Sequence, residues 1–277
     1  MQLQFPAAPD DFTKAERKIM EYIYNHTDEF LFMSIGQLSD RLELSDATLS
    51  RFARHVGCKD FKDLKHVVME QNSGSGPAGK LAGTLLQDNG FTVQNWLLRQ
   101  QFCLQRTLEQ LDTSEFERAV QAILKAEKIF IHGKNASSPL ARLLFFRLRR
   151  LGLGVSLLPS GGSEVLEGLS QAGENDLVIM FSFSKISSEG RMILDYQKEA
   201  GYRTLAFTSR LCAPPDQKSG INLFVYRGEE REYHSMSAPA AVADALAVAL
   251  SERLGSPAAE RLGHLHQLKK KYAGKLP

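Results

Sequence analysis

The sequence is poor in several features that would mark a protein class at once. It holds three cysteines in 277 residues, Cys58, Cys103 and Cys212. They lie far apart, form no CxxC and share no zinc-like spacing with histidine. A disulfide scaffold and a zinc finger are excluded, no metal site is expected, and a reducing compartment fits. Charge of one sign is also lacking: 34 Lys+Arg stand against 32 Asp+Glu, a net of +2. An anionic partner must therefore be held by local clusters. No apolar run approaches the ~20 residues of a membrane span. The best stretch, 140–151, is broken by Arg142, Arg147, Arg149 and Arg150. The first residues, MQLQFPAAPDDF, have no basic-then-apolar leader. A cytoplasmic protein without a membrane partner is expected. GxGxxG fails at Asn135 and Ser138 and no GK[ST] occurs, so neither a dinucleotide nor a P-loop nucleotide is expected, and no cofactor is implied.

What is present is ordinary in bulk: 43% hydrophobic and 24% charged residues describe a soluble globular chain. At ~150 residues per domain the length predicts two modest domains. One low-complexity stretch, NSGSGPAGK at 72–80, reads as a flexible linker. The expected division is a helical domain over 1–72, a flexible linker over 73–90, and a domain with leading helices over 91–277.

The first part carries helix starts. TKAE from Thr13 and SIGQ from Ser34 both have the capping-box pattern. Behind them Ile19 and Ile23, then Ile35, Leu38 and Leu42, recur at helical spacing. Ser45 caps a third helix over 46–56, stopped by Gly57, and Asp60 and Asp63 open a fourth. Residues 34–52, SIGQLSDRLELSDATLSRF, have helix-turn-helix spacing, with small Ser39 at the helix contact and apolar Leu44 and Leu49 in the turn and second helix. Such a second helix lies in the major groove and offers its N-terminal side chains to base edges. Those are Asp46, Thr48, Ser50 and Arg51, with Arg54 one turn on and Ser45 placed for a phosphate. Glu43 stands where glycine often sits. Residues 1–80 carry a net −2, but Arg51, Arg54, Lys59, Lys62 and Lys65 against Asp60 and Asp63 give the reading face +3. The other reading is a helical protein-interaction module with the same packing.

The later part alternates. Short β-rich runs at 128–132, 155–158, 177–183, 204–208 and 221–226 are separated by helical stretches, with a last helix over 239–254. Continuous apolar strands between helices predict a five-stranded, doubly wound parallel sheet covered on both faces. With the order 2-1-3-4-5, ligands bind beyond the carboxyl ends of strands 1 and 3, where the crossovers diverge. Hydroxyls gather there twice, in GKNASS (Gly133 to Ser138) and SFSKISS (Ser182 to Ser188), each opening a helix. Two helix N-termini, many hydroxyls and a close-approach glycine make an anion site. A neutral polar lining suits a sugar bearing that anion. Each serine taken singly could instead only cap its helix. The helical run over 93–111, with Trp96, Leu97, Phe102 and Leu108, could connect the domains or pack at a dimer interface. The end, HLHQLKKKYAGKLP, reads as a soluble basic tail.

Two resemblances join these halves. TKAERKIMEYI and SIGQLSDRLELSDATLSRFARHVGCKDFKDLK resemble the N-terminal domain of RpiR-type bacterial transcriptional regulators. GKNASS, SFSKISSEG and SMSAPAAVADAL resemble a sugar isomerase (SIS) domain. The resemblance implies an all-α DNA-binding head, with operator contacts from Ser45, Asp46, Thr48, Ser50, Arg51, Arg54 and Lys59. It also implies a SIS-like sheet of flavodoxin-like order that senses a phosphorylated sugar or sugar acid. Its phosphate-binding serines carry over to Ser137, with Ser138 beside it, and to Ser182, Ser184 and Ser187. A third contact falls on His234, Ser235 or Ser237, of which Ser235 is taken. Lys185 stands where the family pattern has glycine, and so either adds a charge to the site or closes it. The implied partners are operator DNA, the anionic effector and a second copy of the chain, as a homodimer or a dimer of dimers. Two alternatives stay open: an aldose–ketose phosphate isomerase, with Glu164, Glu189, Glu232 or His234 as base, and a regulator whose sugar site is degenerate.

Overall fold

Apolar residues at helical spacing in the first hundred residues, and in continuous runs after residue 128, collect into separate cores. The computed structural model describes residues 3–7, 9, 11–71, 76–87 and 91–275. Its chain divides into two compact units, one of residues 1–99 with 228–234, the other of residues 100–227 with 235–277.

The first unit is helical. Its elements are α1 (Lys14–Asn25), α2 (Thr27–Phe32), α3 (Ile35–Leu42), α4 (Asp46–His55), α5 (Phe61–Gln71), α6 (Gly76–Gln87) and the start of α7 (Val93–Gln110). Both capping boxes form: Thr13 Oγ1 accepts from Glu16 N while Thr13 N donates to the Glu16 carboxylate, and Ser34 and Gln37 repeat the exchange. The helices bury Ile19, Ile23, Leu38, Leu42, Leu49 and Phe52 in one core. The short α2 has no counterpart in the sequence reading; burial of Phe30 and Leu31 holds it.

The stretch 73–90 is not a flexible linker throughout. Residues 76–87 form α6, which sends Ala82 and Leu86 into the helical core, while 73–75 and 88–90 lie outside the described residues. Glycine here serves packing rather than freedom. A Cβ on Gly83 would stand 2.3 Å from the Arg231 carbonyl oxygen, so only glycine lets residues 228–234 lie against α6. Tyr233 N donates to Thr84 Oγ1 at 2.7 Å, and Arg99 pairs with the buried Glu232 at 2.8 Å.

The second unit is the predicted parallel sheet. Its elements are α8 (Thr113–Lys125), β1 (Ile129–His132), α9 (Ser138–Arg150), β2 (Val155–Leu157), α10 (Glu164–Leu169), β3 (Leu177–Phe181), α11 (Ser188–Ala200), β4 (Arg203–Thr208), β5 (Ile221–Phe224), α12 (Ser237–Leu254) and α13 (Ser256–Tyr272). The strand order is β2-β1-β3-β4-β5, all parallel. Alternate side chains go to opposite faces. Ile129, Ile131, Leu177, Ile179, Leu205 and Phe207 join α8, α9 and α12 in one core, while Phe130, Val178, Met180 and Ala206 join α10 and α11 in the other. The end of the chain is no loose tail: α13 carries residues up to Tyr272, with Ala258 buried against the sheet unit.

Candidate functional site

In the helical unit α3 and α4 meet as a helix-turn-helix. Ser39 is buried at the contact, its hydroxyl donates to the Leu44 carbonyl, and Leu44 N returns a bond to Ser39 O at 3.0 Å. Glu43 takes the left-handed conformation (φ 53°) that the turn requires of it despite its side chain. Lys18 of α1 donates to the Leu42 carbonyl at 2.7 Å, supplying a partner for the end of α3. Ser45 caps α4 by accepting from Thr48 N, and its hydroxyl lies 2.9 Å from Thr48 Oγ1.

Ser45, Asp46, Arg51, Arg54 and Lys59 are exposed, and Thr48 and Ser50 half-buried, around the start and outer side of α4. Arg51 reaches Thr48 Oγ1 at 3.4 Å and Arg54 rests on the Ser50 carbonyl at 3.2 Å, which holds both side chains along the helix. The charge of this face needs correction. Lys65 is buried and donates to the Met33 carbonyl at 2.8 Å, and burial pulls its pKa down to about 8. Without it, four cations against Asp60 and Asp63 leave +2. Both carboxylates also have local work, Asp60 on Asp63 N and Asp63 on Lys59 N.

In the sheet unit the switch point lies between β1 and β3, and the two hydroxyl-rich turns leave there. After β1 the backbone folds tightly: a Cβ on Gly133 would stand 2.6 Å from the Ser137 carbonyl oxygen and 2.9 Å from the Ala141 Cβ. Asn135 accepts φ 51° and starts a single 3-10 turn that ends at Ser137. Ser137 and Ser138 are half-buried at the opening of α9, and the Ser137 side chain makes no capping bond. After β3, Ser187 caps α11 through Gly190 N at 3.0 Å, as its plainer role foresaw. The Ser182 hydroxyl oxygen is buried and, among the described residues, has no hydrogen-bond partner. Ser184 and Lys185 are exposed.

An ion pair ties the turns together: Lys134 Nζ lies 2.7 Å from Glu189 Oε1. The Lys134 hydrogen bond, with the Glu189 backbone amide and Ser187 adding to it against a smaller opposing effect of burial, pulls the Glu189 carboxyl down to about 2. His132, at the end of β1, is buried and, among the described residues, neither ring nitrogen has a well-formed hydrogen bond. Burial lowers its pKa, although the Glu189 charge and the Pro159 backbone favour the protonated form. Sequence reading offered Glu189 as one of four candidate bases without pairing it to Lys134; it passed over His132 and, beyond β5, Arg227. The pairing signal was weak because residues 134 and 189 are 55 positions apart.

Of the third-contact candidates, Ser235 accepts from Ser237 N at 3.1 Å and lies 2.9 Å from Ser237 Oγ, at the start of α12. His234 belongs to the helical unit, where it meets the Glu229 carbonyl and Lys80. The four candidate bases are divided between the two units. Glu232 and His234 lie in the helical unit, Glu164 is exposed on α10, and Glu189 is held ionised by Lys134. A groove of about 360 Å³ lined by Arg147, Asp244, Val248, Ser251 and Leu262 lies among α9, α12 and α13, none of which contributes these residues to the serine turns. Among the described residues no cluster of three or more metal-ligating side chains occurs, and no helix is long and apolar enough to cross a membrane.

Residues 3–75 match the profile of the helix-turn-helix domain, rpiR family, and residues 122–249 match that of the SIS domain. An uncharacterized HTH-type transcriptional regulator of Caldanaerobacter subterraneus is 24% identical over 216 residues, covering 77% of this chain and 76% of its own. The sugar isomerase domain of an RpiR transcription factor from Sphaerobacter thermophilus is 24% identical, with a TM-score of 0.58, over 62% of this chain and 96% of that one. The NanR protein of Vibrio vulnificus, solved with ManNAc-6P, is 20% identical, with a TM-score of 0.59, over 95% of both chains.

Proposed function

The chain belongs to the helix-turn-helix transcriptional regulators of the rpiR family that carry a SIS domain, and on that premise we propose how its two units work. The helical unit binds an operator through α4, with Arg51 and Thr48 toward base edges and Ser45, Arg54 and Lys59 toward phosphates. The sheet unit binds a phosphorylated sugar or sugar acid between the turns after β1 and β3. The observation that carries this reading is the Lys134–Glu189 pair, which joins two serine-bearing turns at the switch point beside a Ser182 hydroxyl that has no partner among the described residues. Ser137, Ser138, Ser184 and Ser187 complete the cradle, Ser235 borders it, and exposed Lys185 adds charge at its rim rather than filling it. A phosphosugar in NanR supports the ligand class.

We infer that the site senses its ligand rather than isomerising it, because Glu189, the candidate base at the switch point, is engaged by Lys134 and its carboxyl is pulled down, which makes it a poor base for a sugar carbon. The protein acts in the cytoplasm as a homodimer or dimer of dimers, since one reading helix offers few base contacts and two-fold pairing on a pseudo-palindrome multiplies them.

The test combines thermal unfolding against hexose 6-phosphates, N-acetylhexosamine 6-phosphates and phosphorylated aldonic acids, turnover assays on any that bind, and selection of binding sites from random DNA. Stabilisation without conversion, and enrichment of a two-fold motif, are expected. Turnover would make the chain an isomerase. Arg51→Ala is expected to cost about 1–3 kcal/mol of base discrimination while leaving the fold intact. An unchanged motif from that variant would remove α4 from the reading role.

A further inference from the structure

Beyond β5 the chain holds a buried charge with no counter-ion among the described residues. Arg227 is 7% exposed. Its guanidinium lies 3.8 Å over the Phe183 ring, and its nearest polar neighbours are neutral: Ser209 Oγ at 3.3 Å from Nε, Ser184 Oγ at 3.4 Å from Nη2, and the Met236 sulfur at 3.9 Å from Nη1. These are long contacts for a cation, and no carboxylate among the described residues forms an ion pair with it. Burial pushes its pKa down to about 10, still well above neutrality, so the group stays charged. The half-buried cations of the sheet unit differ, Lys134 pairing with Glu189 and Arg147 with Asp244 while Arg210 bonds to neutral Gln217, and Arg227 is the one buried cation among that unit's described residues.

The position of Arg227 gives this buried charge a use. Ser184 belongs to the turn after β3, Ser209 follows β4, Arg227 follows β5, and Met236 precedes α12. All four lie beyond the carboxyl ends of the strands, the side on which doubly wound sheets bind ligands. The Phe183 ring fixes the guanidinium plane, and the two hydroxyls hold its edge. A planar fork fixed in this way and lacking a carboxylate is complementary to an oxyanion.

We propose that Arg227 is the charged anion-binding residue of the effector site. Its guanidinium takes an oxyanion of the ligand, phosphate or carboxylate, alongside Ser184 and Ser209, and so restricts the site to anionic sugar derivatives. This rests on the SIS unit being the effector site, and it adds a contact that the serine turns do not contain. It also explains why the site tolerates an unpaired buried charge: the ligand supplies the counter-ion, and without ligand the charge destabilises the fold.

The test uses full-length wild type, Arg227→Met and Arg227→Lys, with thermal unfolding and calorimetric titration against inorganic phosphate, glucuronate and the sugar-phosphate panel. Arg227→Met is expected to melt higher than wild type without ligand, since an apolar side chain replaces an unpaired charge, and to lose at least tenfold in affinity for the anions that stabilise wild type. Loss toward inorganic phosphate assigns the phosphoryl group to Arg227. Loss confined to glucuronate and phosphorylated sugar acids assigns the carboxylate. Arg227→Lys keeps the charge but not the fork, and a tenfold loss is expected there as well; this variant decides the matter if Arg227→Met does not fold. Unchanged affinity in the variants overturns the proposal while the effector site stands. A wild type that no anion stabilises overturns the effector site itself, and the proposal with it.

Discussion

Glu189 sits in the first turn of α11 with its charge aimed at Lys134 from the neighbouring turn, and its pH behaviour is a test of whether the two turns are joined. Its folded pKa of about 2 lies below the ordinary 4.5. A carboxyl lowered on folding stabilises the protein above its unfolded pKa and loses that contribution as pH falls toward the folded one. The window is therefore about 4.5 down to about 2. Glu189→Gln is expected to lower the urea midpoint at pH 6, by no more than about 1 kcal/mol because the lysine side chain is 41% exposed. The difference from wild type should shrink as pH approaches 3, and a gap independent of pH would mean that the pair does not brace the turns. The serines of both turns were legible as residues, since hydroxyls after two strands form a local pattern. Arg227 and Lys65 were not. Whether a cation is solvated, buried on a carbonyl or buried alone depends on what packs around it, and the deciding neighbours, Met33 for Lys65 and Phe183 and Ser184 for Arg227, lie more than thirty positions away.

Glu43 shows what one element asks of one residue. The turn between α3 and α4 needs a left-handed residue, and a side chain there costs about 1–2 kcal/mol. Glycine removes that strain but loses about 0.5–1 kcal/mol in added unfolded-state freedom. Glu43→Gly is thus expected to stabilise the helical unit by about 0.5–1 kcal/mol, read as a higher thermal midpoint with the selected DNA motif unchanged. A lower midpoint would show that the Glu43 side chain makes a contribution outweighing its backbone strain. Helix starts were readable because a capping box is complete within four residues, as at Thr13 and Ser34. α6 and α13 were missed for the opposite reason. Glycine-rich and lysine-rich compositions look unstructured, and what makes these segments helical is the burial of Ala82, Leu86 and Ala258 against distant elements.

For the whole molecule, α7 makes a specific prediction about assembly. Leu97 is 60% exposed, Leu98 60%, Phe102 54% and Leu108 74%, an apolar stripe left uncovered on one long helix. Patches of that kind mark association sites. Leu97→Glu together with Leu108→Glu is expected to convert the proposed dimer to monomer in sedimentation equilibrium and to weaken the proposed operator binding at least tenfold. A dimer that survives would move the interface elsewhere, with the α9, α12 and α13 groove around Val248 the next surface to test. By itself the sequence determined the two folding classes, the helix-turn-helix and the serine turns, because periodicity, capping and turn chemistry act over a few residues. Only the tertiary structure decided which charges are paired, which glycines serve close packing, and where residues 228–234 belong, since those depend on long-range contacts that local pattern does not encode.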